Sequence, residues 1–145
     1  FSASAKAARP TRTRTKAKVA ATGEAPHLPR RVPIEGYGQG GFRFGEMSHR
    51  GSLLCLPSGV WAWPVAVASE ITEQSLERVF AEAGEIGLFL LGAGKDRWAM
   101  PDALFDRFRA LKINVETSRT GTAVSTYNIL LGEGRRVAAG FVAVD

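Results

Sequence analysis

The sequence predicts an α/β domain: a central sheet flanked by helices, a smaller hairpin sheet on one side, and an extended basic arm in front. Three observations predict it. Short strand-like segments separated by glycine and proline turns fill the stretch from Ile34 to Val65. From Thr72 onward, apolar runs of strand length alternate with segments of helical periodicity, the pattern that builds a sheet covered by helices. The charge is unevenly placed. Residues 1–33 hold eight of the nineteen Lys and Arg but only Glu24 of the fourteen acids, so the arm carries +7 and the remaining 112 residues −2.

The elements follow in order. Pro26, Pro29 and Pro33 each fix φ and remove a donor, so the junction runs extended over the surface and the domain begins near Ile34. Ile34–Tyr37 predicts a short strand and Gly38–Gly41 a glycine loop. Phe42-Arg43-Phe44, a turn at Gly45-Glu46 and Met47-Ser48-His49 complete a hairpin. Ser52–Leu56 predicts an apolar strand stopped by Pro57, and Val60–Val65 a second one, with Trp61 and Trp63 sharing a face that packs in the core. Thr72 is placed to cap a helix on which Leu76, Val79, Phe80 and Ala83 recur, although Ser75 stands where a capping box has Glu or Gln. Ile86–Leu91 is apolar on both faces, which predicts a strand inside the sheet. Pro101 opens a helix with the stripe Leu104, Phe105, Phe108 and Leu111. Ile113–Glu116 predicts a strand, Thr120–Leu131 a third helix and Arg135–Val144 a last strand.

The arm has few large apolar side chains and cannot bury enough surface to offset its ordering entropy, so it gains order only against a partner. Arg9, Arg12, Arg14, Lys16, Lys18, Arg30 and Arg31 are the candidate partner-binding groups, and the sequence places no core residue before Ile34. Rich in Arg, Ser and Ala and poor in acid, the arm also has the composition of a mitochondrial targeting segment, with Phe1 and Ser4 placed as in a processed remnant. No run approaches the roughly 20 apolar residues of a membrane span. A single cysteine excludes an internal disulfide, and with two histidines it does not make a typical zinc site.

No stretch of sequence makes a convincing active site. Gly92-Ala93-Gly94 after the buried strand lacks the third glycine of a dinucleotide fingerprint and reads as a tight strand exit. Thr120-Gly121-Thr122, next to Arg119, could hold an anion at a helix start or simply cap the helix. Asp102 and Asp106 face solvent beside Arg107 and Arg109. His49 has no carboxylate partner in view, and Cys55 reads as a small buried hydrophobe. Asn128, a poor helix residue in mid-helix, suggests a hydrogen bond across the core.

Several motifs occur in order: Tyr37-Gly38-Gln39-Gly40-Gly41-Phe42-Arg43, Gly51–Leu54, Trp63-Pro64-Val65, Leu90–Gly94, Thr120-Gly121, Thr126–Leu130 and Glu133–Ala139. Together they resemble the small α/β family of the mitochondrial complex I assembly factor three and its uncharacterised bacterial relatives, over about residues 34–143. The resemblance marks Tyr37, Gly38, Gly92, Gly94, Thr120, Gly121, Thr126, Tyr127 and Asn128 as the motif residues here. It implies a central mixed sheet with an added β-hairpin layer. It also implies a matrix protein, or one at the matrix face of the inner membrane, that associates with protein subunits of complex I without catalysis or cofactor. The family commonly has Cys before an Arg-Thr-Tyr-Asn stretch; Val124 and Ser125 stand in those two places here. A ribosomal role, with the arm following rRNA phosphates through charge, is the alternative.

Overall fold

The computed structural model describes residues 25–145. A three-stranded antiparallel sheet comes first, from β1 (Gly36–Gly38), β2 (Gly41–Phe44) and β3 (Met47–Arg50). The second sheet has five strands: β4 (Ser52–Leu56), β5 (Gly59–Trp63), β6 (Leu88–Gly92), β7 (Asn114–Ser118) and β8 (Val137–Phe141), in the order β5-β4-β8-β6-β7. β4 pairs antiparallel with β5 and β8, and β6 pairs parallel with β8 and β7, so the sheet is mixed. Its helices are α1 (Glu77–Ala81), α2 (Asp102–Ala110) and α3 (Thr120–Gly132).

Alternation along the strands divides the core between the two faces of the large sheet. Leu54, Leu56, Trp61, Trp63, Phe89, Leu91 and Ala138 point to the face covered by α1 and α2, where Phe108 stacks on Phe89 at 5.4 Å and meets Phe80 edge-on at 5.0 Å. Leu53, Cys55, Val60, Leu90, Val137, Ala139 and Phe141 point to the other face, covered by α3 and the small sheet through Phe42, Phe44, Val124 and Tyr127. The strand apolar on both sides is thus interior, as its sequence predicts, and both tryptophans are core residues.

Three details differ from expectation. Ser75 completes the capping box without a carboxylate: Thr72 N–H donates to its Oγ at 2.9 Å, and Ser75 N–H donates to Thr72 Oγ1 at 3.1 Å. The element that follows is a single α turn, flanked by 3₁₀ turns at Gln74–Leu76 and Ala83–Glu85. The packed unit also reaches back before Ile34. His27 N–H donates to Val60 O at 2.7 Å, Val60 N–H donates to Leu28 O at 2.9 Å, and Val32 is buried. The stretch is not extended throughout as expected: it bends at His27, Pro29 and Arg30 and runs along the β5 edge, where Leu28 bridges Val60 and covers otherwise unpaired backbone groups.

Candidate functional site

Five motif residues meet where α3 begins. Gly92 ends β6 so close to this helix that a Cβ there would lie 2.8 Å from Thr120 Cα. Thr120 is fully buried. Its hydroxyl donates to Val142 O at 2.7 Å and accepts the Gly94 N–H at 3.0 Å, tying the exits of β6 and β8 together. Tyr37 reaches over from β1, and its hydroxyl occupies the space a side chain on Gly121 would need. Small residues at 92 and 121 therefore let two backbones and an aromatic ring converge on one helix end.

The surface above this junction is a shallow, open concavity lined by Tyr37, Lys95, Arg119, Thr122 and Ser125. Arg119 caps α3 through its backbone position only, with no side-chain cap bond. The Thr120 hydroxyl turns inward to the strand exits, so it neither caps the helix nor faces an anion. The rim is basic through Lys95 and Arg119, both exposed. Gly38 lies at the end of β1, and Thr126 is half-buried on α3.

Tyr127 and Asn128 act deeper. The Asn128 amide donates from Nδ2 to Ile34 O at 2.8 Å, and its Oδ1 accepts Ile34 N–H at 2.9 Å, so it pairs with that backbone much as a neighbouring strand would. Tyr127 is fully buried, edge-on to Phe141 at 5.7 Å, and its hydroxyl faces the weakly polar Cys55 thiol with no other partner among the described residues. Burial raises its pKa, the adjacent Cys55 adds to that, and the Arg31 guanidinium opposes it. The Cys55 thiol is pushed up to about 12 by burial, partly offset by the Tyr127 hydroxyl, which makes it a poor nucleophile.

Among the described residues no group of three or more His, Cys, Asp or Glu could hold a metal, and no helix is long and apolar enough to cross a membrane. Asp102 and Asp106 are exposed as expected; Asp106 pairs with Arg109, while Arg107 pairs with Glu73. Of the arm residues, Arg9, Arg12, Arg14, Lys16 and Lys18 lie outside the described residues. Arg30 is exposed and Arg31 half-buried, with its Nε buried near Tyr127 and without a partner among the described residues. Sequence reasoning also missed His27, whose Nε2 lies 3.0 Å from His49 Nδ1. Two histidines 22 residues apart carry no local pattern that would have revealed it.

Comparison with known proteins places this arrangement among relatives. Residues 34–142 match the family described as "Protein of unknown function (DUF498/DUF598)". An uncharacterised protein of Rhodobacter capsulatus is 37% identical over 108 residues, covering 74% of this chain and 82% of that one. The Drosophila melanogaster protein named NADH dehydrogenase (ubiquinone) 1 alpha subcomplex assembly factor 3 is 34% identical over 114 residues, 75% of this chain; the chain spans only 57% of that relative's length. A Rhodopseudomonas palustris protein solved by NMR superposes with a TM-score of 0.74 at 46% identity, covering 87% of this chain and 93% of that one.

Proposed function

The chain belongs to the DUF498/DUF598 family, and on that premise we propose that it is a non-catalytic interaction protein of mitochondrial respiratory complex I, either an assembly factor or a retained accessory subunit. The observation that carries this reading is the similarity, across the folded body, to a protein named as a complex I assembly factor. The domain supplies recognition. Its motif residues build a rigid junction at the start of α3 and leave a surface of small polar groups with a basic rim, which suits docking on protein. In this reading the protein works in the matrix or on the matrix face of the inner membrane, and Arg9, Arg12, Arg14, Lys16 and Lys18 meet an acidic protein surface.

The test is cross-linking of the tagged full chain in mitochondria, followed by identification of the captured molecules. Complex I subunits should dominate, and depletion of the protein should lower the amount of assembled complex I. The rRNA alternative rests on the arm's charge alone. Cross-links confined to ribosomal RNA, with complex I unchanged on depletion, would overturn the proposal.

A further inference from the structure

Residues 27–32 cross the β5 edge as a strap with few polar attachments. Two backbone hydrogen bonds join it to Val60, and Gly59 has no side chain, which leaves space for the Leu28 carbonyl. Among the described residues, the one side-chain hydrogen bond from strap to body is the His27 Nε2–His49 Nδ1 contact at 3.0 Å, with ring centroids 4.7 Å apart. The His27 ring also lies 6.1 Å from that of Phe44. Further along, Arg31 Nε is buried and unpartnered among the described residues, and the buried Tyr127 hydroxyl has only the weakly polar Cys55 thiol beside it. Unsatisfied buried polar groups cost free energy, so the middle of this seam is the weak part of the closed form.

A hydrogen bond between two imidazoles needs one ring nitrogen to be an acceptor. Protonation of both rings removes that acceptor and sets like charges side by side. The neighbouring groups would not soften that repulsion. The strap adds Arg30 and Arg31, β3 adds Arg50 beside His49, and β2 presents Phe42 opposite His49 with Arg43 next in line. Among the described residues, Glu35 and Glu46 are the carboxylates of the adjoining chain, and the ion pairs there involve neither of them nor either histidine; Glu24 lies outside the described residues.

We propose that residues 27–32 are a pH-released strap: protonation of the His27–His49 pair breaks the seam, lifts the segment from β5 and uncovers the Tyr127–Cys55 interior. The sign follows from proton counting. Burial lowers both imidazoles from the ordinary 6.5, the His27 charge lowers His49 further, and a backbone contact at Ser52 works the other way. The closed form therefore binds fewer protons than the open one. Closure is complete above about pH 6.5 and is lost as the pH falls below it.

Hydrogen exchange on the full chain tests this through the Val60 amide, which donates to Leu28 O. Its protection factor, corrected for intrinsic exchange at each pH, should fall about tenfold between roughly pH 7.5 and 5.5. Amides of the central strand β8 should keep their protection. His27→Gln and His49→Gln, which retain a neutral hydrogen-bonding group, should each reduce the fall to less than about threefold; if one variant fails to fold, the other decides. Val60 protection that ignores pH, an undiminished fall in the Gln variants, or equal loss in β8 would each overturn the proposal.

Discussion

Asn128 shows how one side chain can stand in for a strand. Both of its amide groups bond to the backbone of Ile34, so truncation would leave two partly buried backbone groups without partners. Asn128→Ala should cost about 1–3 kcal/mol in denaturant unfolding, and Asn128→Asp should be nearly as costly because it loses the donor to Ile34 O. The mid-helix position marked this residue as unusual before its partner was known. Cys55 makes the opposite case, a reactive atom type made inert by its surroundings. With its pKa near 12, only on the order of one thiol in ten thousand is ionised at pH 8. Native protein should therefore label slowly and speed up sharply in urea; rapid stoichiometric labelling of the folded chain at pH 8 would refute that assignment.

At the scale of elements, the strands were legible because burial on one or both faces leaves a period of two or an unbroken apolar run. Leu53 to Leu56 even predicts which residues part company across the sheet. The helix after Thr72 was harder to read. Its apolar spacing is helical, but Gly84 and the short distance to Ile86 allow only one α turn between 3₁₀ turns. The strand pairing was not legible in the local pattern, because nothing near residues 137–141 says that they lie between β4 and β6. Nor was the junction of Tyr37 with Gly121, which joins elements far apart in the chain. Gly140 shows what the pairing demands. A Cβ there would lie 3.0 Å from Trp63 Cζ3 and 3.1 Å from Phe89 Cζ, and both rings are buried too tightly to yield. Gly140→Ala relieves about 0.4–1 kcal/mol of unfolded-state entropy but overpacks the site at about 1–3 kcal/mol. The melting temperature should therefore fall; an unchanged or higher value would mean that the rings can shift.

For the whole molecule, the strap changes where the domain should be cut. Removing residues 1–33 takes away the Val60 hydrogen bonds and the buried Val32, a side chain worth about 1.5–3 kcal/mol when fully buried. Such a truncation should melt about 4–8 °C lower for each kcal/mol lost, whereas one beginning at residue 25 should melt like the full chain. Equal melting of the two truncations would show that the strap adds nothing to the fold. The sheet order has a consequence in time as well as in space. β8 is the last strand in the chain, yet it alone joins the antiparallel pair β4–β5 to the parallel pair β6–β7. A chain emerging N-terminus first, from a ribosome or through a translocation pore, cannot close its main sheet until residues 137–141 are free. Until then the β4–β5 and β6–β7 pairs share no strand and the core between them cannot close. A fragment ending at residue 136 should accordingly give hydrogen-exchange and circular-dichroism signals of an unfolded chain, and addition of the final nine residues should restore the cooperative transition in one step.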